Sequence, residues 1–199
     1  MHINFRRRLS AADHKIMPWK NGAGRTTEIA VGDPKTASQE WSWRVSIADV
    51  DKDGPFSIFP GIDRSIVVIE GSGMDLQFDE GRIVPLEPNH PLDFDGEAPV
   101  YGILKDGPIQ DFNVMVSRKH FQARLDVYLG QNEITKTNTA GSFLLIHALS
   151  GTCIISDKTD TNEILVADET LIYDVQCVVG LLMGNDARAI IASIVPIGS

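Results

Sequence analysis

DGPFSIFPGIDRSIVVIEG, residues 53–71, decides the fold. It opens on the turn Asp53-Gly54-Pro55 and closes where Gly71-Ser72-Gly73 begins another. Two short apolar runs lie between, split by a Pro60-Gly61 corner. Runs this short, bounded by turn formers, read as strands. The second run, Ser65 to Glu70, is the buried one, and Asp63 and Arg64 stand just ahead of it. A charged pair at a rigid corner beside a core strand presents fixed polar groups at a cavity mouth.

Working outward, the same punctuation recurs. Glu28 to Val31, Met74 to Phe78, Arg82 to Leu86, Val100 to Leu104 and Phe112 to Ser117 all read as strands between Gly, Pro, Asn and Asp clusters. Trp41 to Ile47 alternates cleanly, with Trp41, Trp43, Val45 and Ile47 on one face and Ser42, Arg44 and Ser46 on the other. Such spacing predicts an antiparallel sandwich or barrel. Sustained helical periodicity is absent. Ser10 to Ile16 is the best helical stretch, and Ser117 to Arg124 allows a further turn.

The second half echoes the first. SIVVIEGSGMDL (65–76) returns as LIHALSGTCII (145–155), and RIVPLEP (82–88) as EILVADE (163–169). PLDF (91–94), YGIL (101–104) and DFNVMV (111–116) return as LIYD (171–174), GLLM (180–183) and AIIASIV (189–195). Matches in the same order at an offset of about 80 residues predict a duplicated barrel. The first copy is placed at residues 1–118 and the second, plainer copy at 119–199, the two packed as one globular unit. Residues 130–142, GQNEITKTNTAGS, read as a surface loop of the second copy.

The chain has 199 residues, 43% of them apolar, and a net charge of −9. That length and composition suit a buried core. The acidic balance argues against nucleic acid as a partner, while a local arginine pocket still admits an anionic small ligand. Arg6, Arg7 and Arg8 resemble the basic region of a signal peptide, but no apolar run of signal length follows. Nothing reaches membrane-spanning length, so the expected compartment is the cytoplasm, without a membrane partner. Cys153 and Cys177 sit in apolar strand-like runs and read as buried thiols.

Four groups of residues carry candidate chemistry. In PWKNGAGRTTEI (18–29), Lys20, Asn21 and Arg25 crowd a glycine loop. Neither the Walker nor the dinucleotide pattern fits it; it is either a plain glycine turn or an anion contact through inward N–H groups. Arg44 lies on the polar face of its strand. It is solvated there or, if that face lines a bore, it offers a fork for a carboxylate. Asp111 and Asn113 share one face of an otherwise apolar strand, which is unusual for a core. Asp63 and Arg64 complete the set. The five histidines are scattered without any metal-ligand spacing, so no metal and no cofactor is expected. No serine lies in a nucleophile elbow and neither cysteine has a nearby base, so no catalytic residue is assigned.

PWKNGAGRTTEI, WSWRVSIADVDKDGPFSIFPGIDR, VIEGSGMDL and DFNVMVSR, in this order and spacing, resemble the HutD/Ves family across residues 17–118. The resemblance implies an all-β bicupin of two antiparallel barrel or jelly-roll halves in a bacterial cytoplasmic protein. It further implies a link to histidine utilisation or to stress responses. The implied role is a regulatory protein that binds a pathway intermediate such as formylglutamate. Carried over motif by motif, the ligand-binding residues would be Trp19, Lys20, Asn21, Arg25, Arg44, Asp63, Arg64, Asp111 and Asn113. The expected ligand is a small anion or dicarboxylate, with the pocket in the first copy. A homodimer is an open option for assembly. Two other readings stand beside this one: a metal-free enzyme using Asp63 or Asp111 as base, and a stress-response interaction protein with a vestigial pocket.

Overall fold

The alternating pattern is realised as strand almost throughout. The computed structural model describes residues 6–19, 22, 24–35, 40–79, 81–157 and 162–198. The strands begin with β1 (Arg6–Leu9), β2 (Lys15–Pro18), β3 (Gly24–Val31), β4 (Trp43–Val50) and β5 (Gly54–Pro55). There follow β6 (Ile62–Glu70), β7 (Met74–Phe78), β8 (Ile83–Leu86), β9 (Leu92–Asp95) and β10 (Val100–Leu104). The central pair is β11 (Ile109–Ser117) and β12 (Phe121–Leu129). The chain then runs through β13 (Asn132–Asn138), β14 (Phe143–Ser150), β15 (Cys153–Ser156) and β16 (Glu163–Leu165). It ends on β17 (Thr170–Tyr173), β18 (Cys177–Met183) and β19 (Arg188–Pro196). No helix among the described residues is long and apolar enough to cross a membrane.

Two expectations are corrected. The helical stretch Ser10 to Ile16 contracts to a 3-10 turn at Ala11–Asp13, where Asp13 Oδ2 accepts from Ser10 N and Oγ, each at 2.8 Å. From Lys15 onward the chain is β2, paired with Thr26 and Thr27 of β3. A segment this short does not nucleate a helix unaided, and an available ladder captures it. The surface loop at 130–142 contains β13, which pairs with β18 from Asn132↔Met183 to Asn138↔Cys177. Ile134 packs on the core while Glu133, Thr135 and Thr137 face solvent. Its polar alternation is that of a half-wet strand.

The chain divides into two compact units, residues 14–122 and residues 123–199 with the N-terminal segment to Asp13. The first-strand segment, assigned by sequence to the first copy, therefore belongs with the C-terminal unit. In the 14–122 unit, a six-stranded sheet in the order β2-β3-β4-β11-β6-β9 packs on a four-stranded sheet, β5-β10-β7-β8. Ile66, Val68, Met74 and Leu76 fill the space between them with no measurable exposure. In the other unit the sheets are β1-β17-β14-β19-β12 and β13-β18-β15-β16. Leu144, Ile146, Ile155 and Ile191 are among the side chains that close its interior.

The duplication is written into the ladders. β6 pairs with β9 and β11, as β14 pairs with β17 and β19. β7 joins β8 and β10 as β15 joins β16 and β18. Each copy carries a bulge at the same place, where the register shifts between Val68 and Glu70 and between Ala148 and Ser150. Counted from the bulges, Arg64 corresponds to Leu144, Asp111 to Ala189 and Asn113 to Ile191. The second copy has replaced each of these polar side chains with an apolar one.

Candidate functional site

Strands β4, β11 and β6 place their inward residues in rows. Arg44, Met115 and Arg64 form one row; Ser46, Asn113 and Ile66 form the next; Ala48, Asp111 and Val68 form the third. Alternate residues on a strand are about 6.7 Å apart, so these rows grade from a cationic end to a carboxyl level. All of these but Ile66 and Val68 line a cavity of about 530 Å³ inside the 14–122 unit. Trp19, Phe56, Phe59, Met74 and Leu104 also line it. That size and mixture of apolar wall with few polar groups is typical of small-molecule sites.

The polar groups form a chain. Arg64 is 7% exposed, and donates through Nη2 at 2.8 Å and Nε at 3.3 Å to Asn113 Oδ1. Asn113 Nδ2 in turn donates to Asp111 Oδ1. The guanidinium lies 5.0 Å from the ring centroids of both Phe56 and Phe94, and 5.9 Å from that of Phe59. Aromatic faces hold a buried cation that would otherwise be poorly solvated. Burial lowers the Arg64 pKa to about 10, with Asp111 opposing the shift and Arg44 adding to it. The arginine stays charged at neutral pH. Burial pushes the Asp111 carboxyl up to about 7 despite Arg64 and the Asn113 amide, and Asp49 adds to the rise. Arg44 forms an ion pair with Glu28, Nε to Oε2 at 2.9 Å.

Of the residues read from sequence, Trp19, Arg44, Arg64, Asp111 and Asn113 meet at this cavity. Trp19 is fixed by its indole Nε1, which donates to Thr26 Oγ1 at 2.8 Å, and by its own N–H donating to Gly24 O at 3.0 Å. Gly24 is required for close approach: a Cβ there would lie 2.0 Å from the Asp49 carbonyl oxygen. Lys20 and Asn21 lie outside the described residues. Arg25 is not among the lining residues; it donates from Nε to Asp49 Oδ2 at 2.6 Å, and its side chain is largely exposed. Asp63 also lies off the cavity. It accepts from Arg118 Nε at 2.7 Å, while Arg118 Nη2 donates to Asp95 Oδ1 at 2.6 Å. The charged pair at the corner is thus split. Strand β6 already begins at Ile62, so successive residues Asp63 and Arg64 point to opposite sides.

Lys52 also lines the cavity, and no motif singled it out. The signal was available: Arg44, Ser46, Ala48, Val50 and Lys52 continue one period-2 row. Among the described residues no group of three or more His, Cys, Asp or Glu side chains is arranged to hold a metal ion.

Several known proteins are similar to this chain. A protein of Pseudomonas putida described as an uncharacterized 21.2 kDa protein in the hutC 3' region is 39% identical over 142 residues, 71% of this chain and 73% of that protein. Protein Ves of Cronobacter sakazakii is 34% identical over 155 residues, covering 76% of this chain and 82% of that one. The crystal structure of a conserved Pseudomonas aeruginosa PAO1 protein of unknown function superposes with a TM-score of 0.85 at 34% identity, covering 95% of this chain and 98% of that one. HutD from Pseudomonas fluorescens SBW25 superposes with a TM-score of 0.81 at 31% identity, covering 97% and 100% respectively. A bacterial pirin, YhhW of Escherichia coli, shares the fold at 8% identity and a TM-score of 0.65. The HutD family model matches residues 11–189, which include every residue lining the cavity, and the chain belongs to the HutD family.

Proposed function

We propose that the cavity of the 14–122 unit binds a small carboxylate, an acylated amino acid of the formylglutamate kind, and that the protein acts as a metal-free ligand-binding regulator. The observation that carries this reading is the buried Arg64–Asn113–Asp111 chain beside Arg44. Two guanidinium groups at one end suit a carboxylate, for which the planar arginine fork is matched in shape and charge. Asn113 retains one amide N–H beyond its bond to Asp111, and the Asp111 carboxyl offers its second oxygen. Such a pair reads a formyl or amide group next to the anion. The aromatic wall supplies burial. The link to histidine utilisation follows from the resemblance and from the names of the Pseudomonas relatives.

A second reading has one specific observation in its favour. A carboxyl with a pKa near 7 is well placed to act as a general base at neutral pH, so Asp111 is the enzyme reading's base. Asp63, held by Arg118 away from the cavity, has no such geometry.

Titration calorimetry with N-formylglutamate tests the binding reading. Saturable binding to the wild type is expected. Arg64→Ala should weaken it by about 1.5–3 kcal/mol, the range for hydrogen bonds to charged groups. Arg25→Ala, the same change of net charge outside the cavity, should have little effect. Equal losses in both variants would reduce the effect to general charge and remove the site. Incubation followed by NMR separates the two readings: an intact ligand supports the regulator, and release of formate supports the enzyme.

A further inference from the structure

We infer that Lys52 is a specificity-determining residue of this cavity, selecting ligands that carry a second anionic group away from the arginine end. The inference rests on the carboxylate-binding reading above and goes beyond it in assigning the second contact.

Three observations converge on Lys52. First, it continues the inward row of β4 beyond Val50 and lines the cavity. Strand β4 ends at Val50, and Lys52 lies in the bend that follows, past the strand end opposite to Arg44. Second, the other lining cations are already engaged, Arg44 with Glu28 and Arg64 with Asn113. Lys52 has no hydrogen-bond or ion-pair partner among the described residues, and its side chain is exposed. Third, its acidic neighbours are turned away. Asp53 Oδ1 accepts from the Leu104 N–H at 2.8 Å, and neither Asp51 nor Asp53 lines the cavity.

A free ammonium on a flexible stem at a cavity mouth is a point charge that adapts to ligand length. Its donors are hydrated in the free protein, so engaging an anion costs little rearrangement of the protein. A ligand with one carboxylate satisfies the arginine end alone. With two separated anionic groups it satisfies both ends, and the cavity polarity fixes which way round it lies.

The test compares N-formylglutamate with its two mono-amides, in which one or the other carboxylate is replaced by an isosteric carboxamide. Wild-type protein should prefer the diacid to at least one mono-amide by roughly threefold to tenfold, and rising salt should shrink that preference. Lys52→Met should abolish the preference over one mono-amide and keep that over the other, which the arginine end sets, and Lys52→Glu should invert the first. Lys119→Met, an exposed lysine off the cavity, should retain both. Melting temperature identifies any variant that has lost its fold, and among the described residues Lys52 has no hydrogen bond or ion pair whose loss would unfold the chain. Preferences over both mono-amides that survive undiminished in Lys52→Met, or a wild type that binds all three probes equally, overturn the assignment and leave the carboxylate site standing. Failure of the wild type to bind any of the three removes the site and the assignment together.

Discussion

Asp111 is a nearly buried carboxyl group in the wall of the cavity, and its proton reports that placement. Its pKa is about 7 in the folded protein, against about 3.9 in an unfolded chain. The folded state therefore holds the proton more tightly, and this contribution to stability is full below about pH 4. It is lost as the pH rises through about 7. Asp95, held low by the Glu97 amide and Arg118, works in the opposite sense in acid. The useful quantity is thus a difference: the stability of wild type minus that of Asp111→Asn should fall steadily between about pH 4 and about pH 7 in urea titrations. A flat difference would mean that the carboxyl is ionised throughout. At this scale the sequence was readable wherever parity was used. Asp111 and Asn113 were paired because they alternate with Phe112 and Val114, and Arg44 shares a face with Ser46. Asp63 and Arg25 were chosen as charged residues near turns. Turn proximity does not fix direction; the strand does, and it turns both outward to Arg118 and Asp49.

The hairpin of β2 and β3 shows what holds an element at the cavity wall. Gly24 lets β3 start against the Asp49 carbonyl, and its own carbonyl anchors Trp19. Gly24→Ala places a Cβ inside that contact and 3.2 Å from the indole. The backbone must shift, at a cost of about 1–3 kcal/mol, the range for overpacked sites. Chemical denaturation should show the loss, and the tryptophan emission of the folded state should move. An unchanged midpoint would mean that the strands separate without penalty. Strands with apolar alternation, such as β4, β6 and β11, were legible from sequence to within a few residues. β13 was not, because Gly130, Asn132, Asn138 and Gly141 are turn-favouring by type, and only the pairing with β18 marks the stretch between them as strand. The 3-10 turn at Ala11–Asp13 was over-read as a longer helix for a similar reason: local propensity carried no information about the waiting edge of β3.

Across the whole chain, the duplication was legible because six strands recur in order with the same bulge, while only one copy keeps polar groups inside. Leu144, Ala189 and Ile191 fill in the second sandwich what Arg64, Asp111 and Asn113 leave open in the first. The allocation of β1 was not legible. RRRL has no apolar period, and its partner is far along the chain: Arg6 pairs with Tyr173, and its guanidinium reaches Asp157 at 2.5 Å and Glu163. Removal of residues 1–9 should therefore raise hydrogen exchange in β14 and β17 while leaving β6 and β11 protected; equal protection in all four would make β1 dispensable. This partnership also sets an order of events at the ribosome. Strand β1 finds its neighbour only after Tyr173 has been added, 167 residues later by subtraction of the paired positions. At roughly 5–20 residues per second that is a wait of about 8–30 s, during which the 14–122 sandwich is synthesised and free to close. Three arginines in a row keep the waiting strand hydrated, so β1 stays open until β17 arrives to receive it.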